Sequence, residues 1–171
     1  MKFHKEIERR FIVNKKLITL EQLRGYPYIS IKQWYPFKIL GFIFRIRIEE
    51  FQYNEKHLLT IKGKNNFEFE CQISKYISKF FQFGPFIEKT RSYFSYFGHT
   101  FELDIFPSRY TDYMIAEIEL NSFDEEINLP IWIEKEITNQ KELSNYNLAK
   151  KFYYSPLGIL RKTKKNILKI G

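Results

Sequence analysis

The sequence predicts a mainly β fold of the α+β class: about eight antiparallel strands closed into a barrel, with a few flanking helices. Two observations carry that expectation. Stretches of alternating apolar and polar residues recur along the 171-residue chain, as expected of strands whose successive side chains point to opposite faces. The polar positions of these stretches are filled repeatedly by charges of one sign. Closing such strands into a ring would gather the charges in a narrow bore that side chains can line. Burying so many charges is costly unless they offset one another or meet bound ions. The same alternation also fits a two-layer sheet whose charged face is merely solvated.

In the opening stretch, Glu6-Ile7-Glu8-Arg9-Arg10-Phe11-Ile12-Val13, the residues Glu6, Glu8 and Arg10 share one face. Two neighbouring carboxylates repel unless a cation sits between them, and a hard divalent ion such as Mg2+ or Mn2+ takes oxygen ligands. A short helix is expected over 17–23, stopped by Gly25 and Pro27. Strands follow over 28–35 and 42–51, and the second sets Arg45, Arg47 and Glu49 opposite Phe44, Ile46 and Ile48. Two guanidinium forks on one surface suit phosphate oxygens.

The strand over 57–63 puts Leu58, Thr60 and Lys62 on one side, and the turn at 63–66 leads to Phe67–Ile73, where Glu68, Glu70 and Gln72 share a face. The period becomes helical over 74–83, with Ile77, Phe80 and Phe81 as the expected buried stripe, and Gly84-Pro85 ends it. Strands over 86–96, 100–106 and 113–121 present Lys89/Arg91/Tyr93, Glu102/Asp104 and Glu117/Glu119. The segment 132–150 reads as mostly helical, with Ser144-Asn145 as a helix start. Residues 156–171 form a basic tail, with five bases between Arg161 and Lys169. No linker or repeat divides the chain, so one domain spans 1–171.

Composition limits the function. The 28 Lys and Arg against 20 Asp and Glu give a net charge of +8, which calls for an anionic partner. The bases alternate with acids inside strands instead of forming one stripe, which argues against nucleic acid. A single cysteine, Cys71, excludes an intrachain disulfide and a cysteine-rich zinc site. His4, His57 and His99 have no metal-ligand spacing. No stretch approaches the ~20 apolar residues of a membrane span, and a cytoplasmic setting is the expectation. Acids dominate the faces at Glu6/Glu8, Glu68/Glu70, Glu102/Asp104 and Glu117/Glu119, and bases those at Arg45/Arg47, Lys62/Lys64 and Lys89/Arg91. A linear polyphosphate with Mg2+ or Mn2+ would satisfy both sets.

Taken together, these stretches resemble the CYTH superfamily, the triphosphate tunnel metalloenzymes. The family's opening Glu-x-Glu-x-Lys is matched by Glu6-Ile7-Glu8-Arg9-Arg10, with arginine in the last place. The order continues through Arg45-Ile46-Arg47, Leu59-Thr60-Ile61-Lys62-Gly63, Glu68-Phe69-Glu70, Lys89-Thr90-Arg91, Glu102-Leu103-Asp104-Ile105-Phe106 and Ala116-Glu117-Ile118-Glu119-Leu120. It ends at Glu136-Ile137-Thr138 and at Ser144-Asn145-Tyr146-Asn147-Leu148-Ala149, which look like the closing segment of the small bacterial inorganic triphosphatases.

The resemblance implies an eight-stranded tunnel and metal-dependent hydrolysis of inorganic triphosphate or a small organic triphosphate by a monomer or homodimer. By position it makes Glu6, Glu8 and Glu119 ligands of a catalytic Mg2+ or Mn2+, and Glu70, Asp104 and Glu117 ligands of a second metal or orienters of water. Arg45, Arg47, Lys62, Lys89 and Arg91 become phosphate ligands, with Lys135 near the mouth. Arg10 can bind phosphate in the place of the family's lysine but is a poor proton acceptor. Within the same fold, a class IV-type adenylyl cyclase or a non-catalytic polyphosphate- or nucleotide-binding module are the other readings.

Overall fold

The computed structural model describes residues 2–5, 7–18, 25–64, 67–122 and 124–159, with backbone alone for 2–5. Ten strands form one antiparallel sheet: β1 (Lys2–Lys5), β2 (Glu8–Val13), β3 (Tyr28–Ile39), β4 (Phe42–Phe51), β5 (Asn54–Lys62), β6 (Phe67–Gln72), β7 (Phe86–Tyr96), β8 (His99–Ile105), β9 (Met114–Glu119) and β10 (Ile133–Glu136). A six-residue helix, α1 (Lys75–Phe80), joins β6 to β7, and α2 (Asn145–Tyr153) follows a 3-10 turn at Lys141–Leu143. Among the described residues no helix is long and apolar enough to cross a membrane.

The sheet order is β1-β6-β5-β4-β3-β7-β8-β9-β2-β10. It begins on β1 and ends on β10, and among the described residues the two edges do not pair, so the closed eight-stranded barrel expected from the sequence is not formed. The sheet curls around a cavity but stays open. Alternation reports which face a side chain takes, whereas closure depends on edge strands that can pair. Here both edges are four residues long, and β10 is kinked by a register shift between Ile133 and Lys135. Short, irregular edges are how sheets avoid further pairing.

Most strand expectations hold, with the bounds of β4 and β7 reproduced residue for residue. Three do not. Residues 133–136 pair with Phe11–Val13 as β10 and are not helical, because a partner more than a hundred residues away overrides a weak local helical pattern. Helix α1 leaves Ile77 and Phe80 exposed and buries Ser78 instead. The stretch 28–35 runs on past Pro36 to Ile39, because a bulge between Trp34 and Phe37 absorbs the proline. The helix expected over 17–23 and the turn at 63–66 lie partly, and Glu6 and the tail beyond 159 wholly, outside the described residues.

The convex face of β2, β7, β8 and β9 carries Phe11, Val13, Phe101, Leu103, Met114, Ala116 and Ile118, all buried beneath Trp132 and Ile18. The concave face has a second apolar cluster at one end only, where Tyr35, Ile87, Phe106 and Ile115 meet Ile137, Leu148 and Ala149. Helix α2 therefore covers that end. Ser144 starts it by accepting the Asn147 amide at 3.3 Å, a side-chain cap of the usual kind. Residues 137–143 are laced to β2: Ile137 N donates to Arg10 O at 2.7 Å, and Arg10 N donates to Thr138 Oγ1 at 3.1 Å.

Candidate functional site

The rest of the concave face is polar and lines a cavity of about 510 Å3. Register puts the expected residues there: Arg91 is the cross-strand partner of Asp104, Glu102 of Glu117, Arg10 of Glu117 and Thr60 of Glu70. Lining side chains include Glu8, Arg10, Arg45, Arg47, Lys62, Glu68, Glu70, Lys89, Arg91, Glu102, Glu117 and Glu119. Asp104 lies directly beneath, fully buried. Lys135 is exposed on β10 and does not line the cavity.

The charges sort into two clusters. In the first, on β2 and β7 to β9, Arg91 grips Asp104 in two parallel bonds, Nε to Oδ1 at 2.7 Å and Nη2 to Oδ2 at 2.8 Å. Arg91 Nη2 also reaches Glu117 Oε2 at 2.6 Å, Nη1 bonds Glu102, and Lys89 bonds Asp104. Arg10 Nε donates to Glu117 Oε1 at 2.9 Å, and its Nη2 donates to the Leu143 carbonyl at 3.0 Å.

Burial alone would raise the Glu117 carboxyl, but Lys89, Arg91 and Arg10 together outweigh it and hold the group well below the carboxylate range. Glu102 goes the other way, raised first by burial and then by Glu117 and Asp104, against Arg91. Lys89 is lowered by burial and by Arg91, with Asp104 opposing. Burying all these charges is tolerable because each has a partner of opposite sign.

The second cluster, on β4 to β6, is more open. Arg47 Nη2 bonds Glu70 Oε2 at 2.7 Å, and Thr60 Oγ1 donates to the same oxygen at 2.9 Å. Arg45 contacts Thr60 Oγ1 at 3.1 Å and Glu68 Oε1 at 3.4 Å, and Lys62 pairs with Glu68 at 2.7 Å. Burial raises Glu70, but Arg47 and Arg45 outweigh it and leave the carboxyl lowered.

Glu8 and Glu119 lie beside the first cluster. They are cross-strand partners on β2 and β9, both on the cavity wall. Arg10 Nε of the first cluster lies 4.0 Å from Glu8 Oε1. Two facing carboxylates of like charge are a donor set of the right chemistry for a hard divalent ion. Among the described residues no three His, Cys, Asp or Glu side chains are grouped to hold a metal. Glu6, expected from the sequence to join Glu8 and Glu119, lies outside the described residues.

Gln33, Lys38 and Lys141 also line the cavity, as do Asn145 and Asn147 of the closing segment, and the sequence reasoning gave none of the five a role in the site. None belongs to a recurring pattern. Gln33 is fully buried and accepts from the Tyr35 hydroxyl at 3.3 Å, and burial, opposed by Arg45 and Lys62, pushes that hydroxyl up to about 12. His57 and His99 take no part, facing Glu55 at 3.4 Å and Glu125 at 3.0 Å.

A curled antiparallel sheet whose concave face gathers guanidinium, ammonium and carboxylate groups defines a protein built around a small polyanion. The chain is 31% identical over 164 residues to an inorganic triphosphatase of Acetivibrio thermocellus, the match covering 87% of this chain and 96% of that protein. It is also similar to the crystal structure of the inorganic triphosphatase NE1496, at 26% identity and a TM-score of 0.60 over 86% of this chain and 95% of that one. The PH1819 protein of Pyrococcus horikoshii, at 22% identity and a TM-score of 0.50 over 70% of this chain and 80% of that one, shares the fold. No family model matches the chain. The chain belongs to the inorganic triphosphatase family of the CYTH superfamily.

Proposed function

We propose that the protein hydrolyses inorganic triphosphate, or a small organic triphosphate, in the concave cavity with the help of Mg2+ or Mn2+. One observation carries the reading: basic side chains from β2, β4, β5 and β7 converge on one cavity together with a facing carboxylate pair at its wall. Kinship with an inorganic triphosphatase supports it.

In this reading Glu8 and Glu119, joined by Glu6 as the sequence resemblance implies, hold the divalent ion. When bound, that ion supplies charge neutralisation at the scissile phosphoryl group and lowers the pKa of its water. Arg45, Arg47 and Lys62 take the phosphate oxygens from the open side, and Lys89 and Arg91 from the deeper side. Phosphoryl transfer needs positioning and charge stabilisation more than covalent help. Fixed guanidinium groups, already aimed by Glu70, Asp104 and Glu117, provide both without reorganising. Arg10 is committed to Glu117 and the Leu143 carbonyl, so its task is to hold the wall and the α2 end together beside any phosphate contact.

The test is an incubation with Mg2+ or Mn2+ and, separately, inorganic triphosphate and ATP. Orthophosphate released from triphosphate, and stopped by EDTA, is expected. Cyclic AMP with pyrophosphate from ATP, or tight binding of triphosphate without turnover, would overturn the hydrolase reading.

A further inference from the structure

On the convex face of β3 to β6 the centre is covered, with Ile46, Ile48 and His57 buried, but the end at the β3–β4 hairpin is exposed, at Phe37, Ile39, Leu40, Phe42 and Phe67. Cross-strand pairs Phe37–Phe44 and Ile39–Phe42 lie at that end, and an added Cβ on Gly63 would meet the rings of Phe42 and Phe67, so those rings close over the glycine. Phe37 also meets Phe81 at 6.2 Å and Phe83 at 5.4 Å, and Phe81 meets Phe80 at 5.1 Å. The aromatic surface thus runs unbroken from the β3–β4 hairpin to α1.

Two features of this surface are at odds with water. Helix α1 is inside out, with Tyr76 86% and Phe80 77% exposed while Ser78 is buried. The hairpin turn Leu40-Gly41 has both residues at positive φ, 52° and 86°, a position where asparagine or aspartate before glycine is preferred. Leucine stands there instead, in the left-handed region it disfavours and 90% exposed. A large apolar side chain at a strained tip is explained if the tip sits in an apolar medium. Large exposed apolar patches mark interaction sites.

Charge says which medium. Residues 22–48 and 71–87 contain no Asp or Glu, and Lys64, beside Gly41, and Lys79 of α1 edge the patch. A second copy on a two-fold axis would set these lysines against their own counterparts. An anionic lipid surface offers both an apolar layer for Leu40 and Phe80 and negative headgroups for the lysines, the pairing that interfacial contacts use. We propose that the β3–β4 hairpin tip and α1 dock the protein onto an anionic membrane surface, leaving the cavity on the opposite face of the sheet free.

Co-sedimentation of the full chain with phosphatidylserine-rich vesicles, against phosphatidylcholine alone, tests this. Binding is expected only to the anionic vesicles and weakens as salt rises. Leu40→Asp and Phe80→Asp should each lower the bound fraction about tenfold, and Lys64→Gln or Lys79→Gln about fivefold. Triphosphatase turnover in solution is unchanged in the Leu40, Phe80 and Lys79 variants. Three results would overturn the proposal: no binding to anionic vesicles at low salt, a dimer in sedimentation equilibrium that Leu40→Asp dissociates, or binding that survives Leu40→Asp/Phe80→Asp but is lost when Lys162, Lys164, Lys165 and Lys169 become Gln.

Discussion

The two charge clusters of the concave face use the same residue types to different ends. Beneath Arg91 the pairs to Asp104 are dry, with the Lys89 and Asp104 side chains 1% and 0% exposed, and Glu102 at the rim, 23% exposed, meets water. Around Arg47 the pairs are wetter, with Glu70 and Lys62 at 22% and 34%. A dry charge cannot lose its partner without heavy cost, whereas a wet one can exchange a carboxylate for a phosphate. The deep cluster therefore fixes the shape of the site, and the open one is better placed to trade partners with substrate.

That contrast can be broken. Asp104→Ala removes the buried bonding partner of Lys89 and the two-bond partner of Arg91, which keeps Glu117 and Glu102, and should cost about 3–5 kcal/mol of stability, measured by chemical denaturation; a loss under about 1 kcal/mol would mean the deep cluster is no more structural than the open one. Glu8→Gln and Glu119→Gln should each lower kcat about a hundredfold or more while leaving the melting temperature nearly unchanged. Arg47→Ala should raise KM for triphosphate about tenfold, with stability within about 1 kcal/mol of the parent. If Arg47→Ala destabilised the protein as much as Asp104→Ala does, the division would fail.

Acid sharpens it further. Glu117 is depressed in the folded state, so its contribution to stability is present above its ordinary value near 4.5 and is lost as pH falls towards its folded value. Glu102 is raised, so its contribution is present at low pH and is lost as pH rises through its folded value. Glu117→Gln should flatten the acid limb of the stability curve, and Glu102→Gln should remove the decline on the side above 4.5. The smallest effect is expected for Arg10→Lys, about 1 kcal/mol, because an ammonium keeps Glu117 but gives up the Leu143 carbonyl.

Much of the site was legible because strand alternation is strict. Once Arg45 and Arg47, or Glu117 and Glu119, share a face, only the register is needed to bring them to one cavity. The sign of each face was readable too, whereas the ion-pair partners came only with the pairing of β7 to β8 and of β4 to β6. Ring closure was not readable, because it depends on how β1 and β10 end. Nor was the outward-turned α1: Ile77 and Phe80 have helical spacing, and spacing does not say whether the stripe faces core or surroundings. Lys38, Gln33 and Asn145 enter the cavity singly, from a strand end, a strand centre and a helix start, and a lone polar residue carries no pattern to detect.

Among the described residues β1 and β10 each pair on one side only, and these free margins have a mechanical consequence. A hoop of continuous backbone ladder cannot change its girth without snapping hydrogen bonds, but a sheet with two loose hems can tighten or slacken by twisting alone. Fit to a guest of variable length can therefore be adjusted by the curl of the sheet, with no rung of the ladder given up.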